Sequence, residues 1–425
     1  MIKIIIINHA FQVNYFSRRW ELFAKEYKDV DVTLLAPTEH SWYNDKSYSY
    51  GGGGYTLQGK IVDKDNFHIK LFRPTQHFLG GYTSKDFKNI FKLIRPDIVY
   101  VIGSHNTNLL KQVLKIRDNR MPHMKVIGFS MRGPALTLRV KKGKCSPVRW
   151  IARRVVYWIT KMRQDYIYSH LDAFFCHYPD AVDCFRKEGY KGPIYMQTQV
   201  GVNEEWFHED FEARKEIRKK YDIADSTYVF GSATRFSWDK GVDIILKALP
   251  LEGDWKYLMM GSGSDEDFER LRKIVKERHL EGKVIETGLV DWYEMAKYWN
   301  AVDCSIHVPI TTDSWEETFS LSVVQPQITK KPVIGSSSGS VPYQIGFQEM
   351  IVKENDVDAL NRKIKWVLMN KQEAMQIGQK MYTRTHNSFE IQHLNSLFYH
   401  TIKEDILPGK YDAQKSDMAT STTSI

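Results

Sequence analysis

The sequence predicts an α/β protein built from two doubly wound domains, each with a parallel sheet that helices cover on both faces. Three observations predict this fold class. Short apolar runs alternate with amphipathic helical periods along nearly the whole chain. The same alternation is repeated in the second half. The length of 425 residues is too great for one ordinary core and suits two domains of about 200 residues.

The apolar runs give the predicted strands in order along the chain. The first half has six, at 2–8, 30–37, 68–73, 97–103, 125–130 and 173–178. The second half has five, at 227–234, 256–261, 283–288, 303–309 and 332–335. Helices are predicted between the later strands and after them, at 241–249, 265–279, 291–300, 319–330, 356–370, 372–383 and 389–404. A glycine run at 51–54 is typical of a mobile loop, and 408–425 has the composition of a disordered tail.

Composition indicates a soluble protein of a reducing compartment. No run approaches the ~18 apolar residues that a membrane-spanning helix needs. The opening MIKIIIINHA is too short in its apolar part for a signal sequence and reads as a first buried strand. Four scattered cysteines without metal-like spacing are typical of free thiols. We therefore expect a cytoplasmic protein.

The net charge of +9 implies an acidic partner, and the excess is concentrated in one stretch. Residues 119–164 contain twelve Lys or Arg and no acid. Within it, residues 147–163 form an amphipathic pattern whose apolar arc consists of Val148, Ile151, Val155, Trp158, Ile159 and Met162. Two interpretations remain open: segment 139–163 contacts an anionic membrane at the inner face, or the helix packs on a sheet and its outer face is basic. No nucleic-acid motif accompanies the charge, so nucleic-acid binding ranks last.

Ligands of open parallel sheets bind beyond the carboxyl ends of the strands, so residues there are the candidates for a site. Arg235 and Lys240 follow the strand at 227–234, and Gly241 then lets the backbone pass closely before a helix. A diphosphate suits such a pair of cations. Taken alone, this short pattern favours the other interpretation, in which Arg235 and Lys240 are solvated loop charges. Leu289 and Val290 follow the strand at 283–288 and can flank a nucleobase.

A second candidate lies where the helix predicted at 319–330 begins. Its first N–H groups, at Phe319, Ser320 and Leu321, are expected to face an anion, with Glu317 beside them to contact a sugar. The alternative is that the local acids simply complement the helix dipole. Asp265 and Asp267 also open a helix, so we interpret them as capping residues and assign no metal.

Three stretches of the second half are similar to the retaining GT-B glycosyltransferases of the large family four. They are TRFSWDKGVDIILKAL, TGLVDWYEMAKYWNAVDCSIHVP and WEETFSLSVVQPQITKKPVIGSSSGSVPY. In the first stretch Arg235 and Lys240 stand at the family's phosphate-binding positions. In the third, Glu317 and Gln325 stand at the positions of its Glu-x7-Glu region. Only a weak VGVNEEWF match extends the resemblance into the linker.

The resemblance implies two Rossmann-like domains that face a cleft, with a C-terminal helix returning to the first. The corresponding ranges are 1–205 for the acceptor domain with 386–407 packed on it, and 206–385 for the donor domain. It further implies a nucleotide-diphosphate sugar as co-substrate, a glycan or lipid-linked acceptor, retention of anomeric configuration, and no cofactor or metal. Catalysis would rest on Glu317, Arg235 and Lys240. Donor binding would add Leu289, Val290, Phe319, Ser320, Leu321 and Gln325.

The sequence departs from the family pattern at several positions. Gln325 replaces the second Glu; it can still accept a ribose hydroxyl but carries no charge. Thr234, Thr318 and Ser320 stand where the family has glycines, and Tyr343 where it has a Glu. In the first domain the loop NHAFQVNYF lacks glycine. His105 and Arg132 are the candidates on the acceptor side.

Two further functions of the same fold remain as alternatives. A nucleotide-sugar 2-epimerase would convert the sugar nucleotide without any acceptor. A catalytically weak sugar-nucleotide-binding protein would bind a donor and turn over nothing; Gln325 and the lost glycines favour this second alternative.

Overall fold

The computed structural model describes residues 1–12, 14–38, 61–77, 81–103, 107–130, 147–312 and 315–408, with only the backbone at 12, 14–15 and 147–153. The predicted loop at 51–54 and the predicted tail after 408 lie outside these residues. The chain forms two units. Among the described residues, the first unit contains 1–38, 61–198 and 394–408, and the second contains 199–393. The sequence analysis places the corresponding boundaries at 205 and 386.

The first unit is a twisted sheet with helices on its faces. Its strands are β1 Ile2–Ile7, β2 Val30–Pro37, β3 Val62–Lys64, β4 Phe67–Phe72, β5 Thr75–Gln76, β6 Tyr82–Thr83, β7 Ile98–Gly103, β8 Lys125–Ser130, β9 Ala173–Cys176 and β10 Ile194–Met196. Its helices are α1 Asn14–Glu26, α2 Phe87–Ile94, α3 Asn108–Arg120, α4 Pro147–His170 and α5 Pro179–Lys187. The main sheet has the order β10-β9-β8-β7-β1-β2-β4-β3 and is parallel except for the β3–β4 pair.

The end of the chain completes the first unit's core. Helix α14 (Ile391–His400) continues as a π-helical turn, Thr401–Ile406. Phe398 packs edge-on against Trp20 with ring centroids 5.2 Å apart, and Ile402 is fully buried in the same cluster. The buried Arg19 guanidinium donates to the Leu394 carbonyl and to the Asn395 side chain. The predicted return of a C-terminal helix to the first domain is therefore confirmed.

The second unit is a six-stranded parallel sheet. Its strands are β11 Tyr228–Ala233, β12 Trp255–Met260, β13 Val284–Gly288, β14 Cys304–His307, β15 Val333–Ser336 and β16 Ile351–Val352. Its helices are α6 Phe211–Lys220, α7 Val242–Ala248, α8 Asp265–Glu277, α9 Met295–Ala301, α10 Leu321–Ile328, α11 Val341–Ile345, α12 Val357–Met369 and α13 Lys371–Phe389. The strand order β13-β12-β11-β14-β15-β16 changes direction between β11 and β14.

Both faces of this sheet are buried, as the continuous apolar strands predict. Successive strand residues point to opposite faces, and Val229 and Phe230 belong to two different core clusters. The predicted strands agree with the structure to within about two residues at each end, whereas the predicted helix at 319–330 is shorter and begins at Leu321. The two doubly wound domains are confirmed. Within the described residues, no helix is both long and apolar enough to cross a bilayer.

Helix α4 does not pack as an ordinary sheet-covering helix along its whole length. Its last turns are anchored, because Gln164 and Ile167 are buried. The preceding apolar arc faces outward: Trp158 is 66% exposed and Met162 60%. Val155 and Ile159 are exposed with them. The alternative in which this arc packs inward is therefore wrong for the side chains that the structure describes.

Candidate active site

The candidate site lies at the carboxyl edge of the second unit's sheet. Strands β11 and β14 are hydrogen-bonded neighbours, and the order of the sheet changes direction at this pair. In doubly wound sheets the loops that leave such a pair diverge and open a crevice for ligand. The loop after β11 carries Arg235 and Lys240, and the loop after β14 carries Glu317. Three residues that the sequence predicts for the site therefore lie on two adjacent loops at this edge of the sheet.

A buried ion pair joins the two loops. The Lys240 ammonium Nζ lies 2.9 Å from Glu317 Oε2, and the two side chains are only 12% and 9% exposed. The indole of Trp315 covers the same ammonium, with 3.9 Å between Nζ and the ring centroid. Such a cation–π contact strengthens as water is removed. Lys240 is therefore held in place from two sides.

His307 is a third member of this cluster, and the sequence analysis did not single it out. It is the last residue of β14 and is 3% exposed. Its Nε2 lies 3.3 Å from Glu317 Oε2. The signal in the sequence was a histidine near the end of the apolar run DCSIHVP, at the end of the strand that precedes the loop of Glu317. A polar residue at the carboxyl end of a central strand is placed to contact whatever the edge binds.

The Glu317 carboxyl group is ionised at neutral pH. Burial favours its neutral form, but the charge of Lys240 and the neighbouring His307 imidazole outweigh burial and lower its pKa to about 2. An acid with this pKa cannot donate a proton to a leaving group near pH 7. It can accept hydrogen bonds from sugar hydroxyls, and it can stabilise positive charge that develops nearby.

Gly339, in the turn after β15, fixes the position of Glu317. It has φ +47°, and a Cβ built there would lie 2.0 Å from the Glu317 carbonyl oxygen. The neighbouring Ser340 N–H donates to this oxygen at 2.8 Å. A residue with a side chain at 339 would force the two segments apart. The backbone of Glu317 is thus fixed by a close approach that requires glycine.

A similar approach fixes Lys240. Gly241 has φ +72°, and a Cβ there would lie 2.0 Å from the carbonyl oxygen of Val308, just beyond β14. The Ile310 N–H donates to the Asp239 carbonyl at 2.8 Å. These contacts attach the loop after β11 to the loop after β14. The glycine that the sequence analysis expected to let the backbone pass closely does so against Val308.

Arg235 lies on the same loop as Lys240 and is half-buried. The residues on either side of it are bonded to the end of β12 and the turn beyond: the Thr234 N–H donates to Met260 at 3.0 Å and the Phe236 N–H to Ser262 at 2.8 Å. The backbone that carries Arg235 is therefore held at the carboxyl edge. The cations of the predicted pair share one loop, and Lys240 contacts Glu317.

Helix α10 begins at Leu321, so Glu317 precedes it on the loop. Glu317 and Gln325 therefore do not share one helical face, because only Gln325 belongs to the helix. Ser320 is the N-cap residue, and its N–H donates to the buried Gln344 Oε1 at 2.8 Å, while Gln344 Nε2 donates to the Ser320 carbonyl at 3.0 Å. That N–H is therefore engaged by an amide that the sequence analysis missed. Phe319 packs against Phe389, with ring centroids 5.6 Å apart.

The sequence of residues 213–384 matches the family model described as glycosyl transferases group 1. The second unit is a glycosyl transferases group 1 domain. The match covers all three stretches that carry the resemblance in the sequence. No curated protein sequence matches the chain.

Solved structures that resemble the chain over more than nine-tenths of its length have the GT-B fold. Sucrose-phosphate synthase from Thermosynechococcus elongatus has a TM-score of 0.69 and 15% identity, over 94% of this chain and 98% of that one. HepE from Anabaena, in complex with UDP, has a TM-score of 0.68 and 13% identity, over 95% of this chain and 99% of that one. A glycosyltransferase from Rickettsia africae has a TM-score of 0.66 and 15% identity, over 96% of this chain and 99% of that one. Identities this low show the fold, which is GT-B as the sequence predicts.

Gln325, which the resemblance assigns to donor binding, is a buried residue of the second unit. It is 3% exposed, and its Oε1 accepts a hydrogen bond from Trp299 Nε1 at 3.0 Å. Its Nε2 has no hydrogen-bond partner among the described residues. An unpaired buried amide nitrogen costs about 1–3 kcal/mol unless a ligand or water completes it. Gln325 can therefore offer a donor rather than the acceptor expected from the sequence.

The structure places the remaining predicted residues as follows. Val290 is buried and Leu289 half-buried, directly after β13. Asp267 completes a capping box with Ser264 at the start of α8, so the interpretation of this acidic pair as capping holds for Asp267. His105 and Arg132, the acceptor-side candidates, lie outside the described residues.

The lowered pKa of Glu317 predicts that the stability of this protein depends on pH. In the folded protein the pKa of Glu317 is about 2, below the ordinary 4.5. The ionised carboxylate therefore adds its full contribution to the free energy of unfolding above pH 4.5, and this contribution is lost as the pH falls toward 2. The full contribution is about 3 kcal/mol. We expect the stability of the wild type relative to Glu317→Gln to decline by up to this amount between pH 5 and pH 2.5, measured by urea unfolding. A difference that does not change with pH would contradict the ionised, ion-paired Glu317.

Proposed function

We propose that this protein is a retaining glycosyltransferase that moves a sugar from a nucleotide-diphosphate donor to a glycan or lipid-linked acceptor, in polysaccharide or glycoconjugate biosynthesis. One observation carries the proposal: a group 1 glycosyltransferase domain holds a buried Lys240–Glu317 pair at the edge where its strand order changes direction. A cation and an ionised carboxylate side by side suit a substrate that combines a diphosphate with a sugar.

Lys240 and Arg235 would neutralise the diphosphate. An ammonium carries three N–H donors, so Lys240 can contact Glu317 and a phosphate oxygen together. A guanidinium can bind two phosphate oxygens in parallel. The charge that develops on the leaving diphosphate is thereby stabilised by side chains, and this mechanism requires no metal or other cofactor. The proposal includes no role for nucleic acid.

Glu317 would act on the sugar as an ion. It would accept a hydrogen bond from a sugar hydroxyl and stabilise the positive charge that grows at the anomeric carbon as the phosphate leaves. Since ionised Glu317 cannot supply a proton, the acceptor hydroxyl would transfer its proton to an oxygen of the departing phosphate. The acceptor oxygen then bonds to the anomeric carbon on the face that the phosphate leaves, and configuration is retained.

The rest of the donor would lie along the first turn of α10 and the segment after β13. Gln325 Nε2 is the candidate contact to a ribose hydroxyl, because it is buried and lacks a partner in the described part of the chain. Leu289 and Val290 would flank the base. Phe319, Ser320 and Leu321 would line the start of the helix, with the Ser320 N–H remaining on Gln344.

A screen of sugar nucleotides by thermal shift tests the proposal. UDP and UDP-glucose are the first probes, because HepE structures contain them. At a concentration 100 times Kd, binding stabilises the protein by about 2.7 kcal/mol. The donor identified is then incubated with and without glycan and lipid-linked acceptors, and sugar transfer is followed by mass spectrometry. Transfer to an acceptor supports the proposal.

Other results of this screen would favour the alternatives. Conversion of the sugar nucleotide without any acceptor would indicate a 2-epimerase. Binding with no turnover would indicate a binding protein. The absence of stabilisation by every donor would contradict the proposal itself.

We further propose that the enzyme acts at the inner face of an anionic membrane, through the basic segment 139–163. The exposed arc of α4 supports this, because Val155, Trp158, Ile159 and Met162 form one outward apolar strip. The stretch 119–164 adds twelve cations and no acid. Apolar side chains with surrounding cations are the features by which an interfacial helix binds anionic lipid.

The double variant Trp158→Ser/Ile159→Ser is expected to weaken binding to vesicles of phosphatidylglycerol and phosphatidylcholine by about tenfold or more, because two apolar side chains leave the bilayer. Co-sedimentation with the vesicles measures this. Leu93→Ser is the matched control, because Leu93 is 77% exposed in the same unit and lies on α2. Equal binding of wild type and double variant would contradict the membrane surface.

A further inference from the structure

A cavity lies at the amino-terminal edge of the sheet in the glycosyltransferase domain, opposite the carboxyl edge that carries the candidate active site. Its volume is about 560 Å³. Its walls come from the start of β11, the residue before β14, the turn between α10 and β15, and the first turns of α13. Four cations line it: Arg214, Lys330, Lys331 and Lys371. The volume falls within the usual range of small-molecule sites.

Two of these cations are already balanced by acids. The Asp303 carboxylate accepts from Arg214 at 2.7 Å and from the buried Arg218 at 2.7 Å. Lys330 pairs with Glu209 at 2.5 Å. The charges of these pairs largely cancel. The exception is Arg218, which shares Asp303 with Arg214 and so leaves one positive charge unbalanced.

Lys331 and Lys371 are not balanced in this way. Lys331 is half-buried, and within the described chain no carboxylate lies at ion-pair distance from it. Burial and the nearby Arg214 lower its pKa. The Lys371 ammonium lies 5.4 Å from the centroid of the Tyr228 ring, at the wall of the cavity. The one remaining acid of the lining, Asp225, is exposed.

The whole charge set has five cations, with Arg218 included, and three acids. The excess of two positive charges equals the charge of a phosphate monoester, which is about −1.5 to −2 near pH 7. A buried ammonium without a counterion is costly, and an anionic ligand removes that cost. The Tyr228 ring and Met375 add apolar surface beside the cations.

We propose that this cavity binds a small phosphate monoester, with the phosphate between Lys331 and Lys371 and the esterified group against Tyr228 and Met375. This site is separate from the proposed donor site. Helix α10 begins near the Lys240–Glu317 pair and ends just before Lys330, and its eight residues span about 12 Å. A ligand at Lys331 and a donor at Lys240 therefore occupy opposite ends of α10 and bind at the same time.

Calorimetric titration of the full chain with inorganic phosphate and with glucose 6-phosphate tests the site. We expect saturable binding of glucose 6-phosphate that Lys331→Gln weakens about tenfold or more, because a charge-assisted contact is lost. Lys240→Met, which alters the proposed donor site, is expected to leave this binding unchanged. Equal affinity for inorganic phosphate would show that free phosphate is the ligand, whereas tighter binding of glucose 6-phosphate supports the ester.

A second variant guards against loss of folding. Lys371 is exposed, so Lys371→Gln is expected to keep the wild-type melting temperature and to weaken binding about threefold or more. The proposal is overturned if neither phosphate compound binds, if both lysine variants bind like wild type, or if Lys240→Met abolishes the binding while circular dichroism shows that this variant is folded under the titration conditions. None of these results depends on whether the protein transfers sugar.

Discussion

Replacing Lys240 by Met is expected to lower kcat/KM for sugar transfer by about 100- to 1000-fold, which is the usual effect of removing one preorganised charge from a reacting centre. The variant loses the cation proposed for the diphosphate and leaves Glu317 buried without its partner. An uncompensated buried charge costs about 3–5 kcal/mol, so the free energy of unfolding should fall as well. Donor turnover and urea unfolding at pH 7 measure the two effects.

Lys247→Met is the matched control for Lys240. Lys247 belongs to α7, which follows the same loop, but its side chain is 51% exposed and its contact with Asp243 is 3.9 Å long. Exposed pairs of this kind contribute about 0–1 kcal/mol. We expect Lys247→Met to retain wild-type turnover and stability within experimental error. Wild-type turnover by Lys240→Met with the donor identified would refute the assignment of the diphosphate to Lys240.

The fold of this protein could be predicted from the sequence because its central strands are buried on both faces. Runs such as IKIIII at 2–7 contain almost no polar residue, and only a covered parallel sheet accommodates them. The short strands β3, β5, β6, β10 and β16 were missed. They have two or three residues each and are partly buried or exposed, so no apolar run distinguishes them from loops.

The central pair of the site was also predictable, because the carboxyl ends of parallel strands meet at one edge. Lys240 and Glu317 are 77 residues apart in the chain, yet each follows one of two adjacent strands. The partners from other segments were not predictable. Gln344 reaches Ser320 from α11, and Trp299 reaches Gln325 from α9; both contacts depend on how helices pack, which periodicity does not specify.

The first residue of α10 is another feature that sequence periodicity does not specify. Sequence periodicity extends α10 back to Phe319, since Phe319 and Leu321 are apolar. In the structure Gln344 is hydrogen-bonded to both the N–H and the carbonyl of Ser320, so Ser320 becomes the cap and the helix begins at Leu321, two residues later than predicted. A tertiary contact therefore decides where Glu317 lies, on a loop fixed by Gly339 rather than on the helix.

Replacing Glu317 by Gln is expected to lower kcat by about 100-fold or more while changing the donor Kd less than threefold. The amide keeps the shape of the side chain and can still accept from a sugar hydroxyl, but it removes the negative charge that would stabilise the developing positive charge. Lys240 loses its counterion and becomes a stronger ligand for the diphosphate, which offsets any lost contact to the sugar. Single-turnover kinetics and calorimetric titration of the donor measure kcat and Kd separately.

Glu316→Gln is the control for this variant, because Glu316 is the adjacent acid and is half-exposed, whereas Glu317 is buried. If both acids only complemented the dipole of α10, the two variants would have similar and small effects of about 0.3–1 kcal/mol on stability and none on kcat. If Glu317 acts as an ion on the sugar, only Glu317→Gln loses turnover. A Glu317→Gln enzyme with more than a third of wild-type kcat would refute that role, and it would leave Lys240 as the chemical centre of the site.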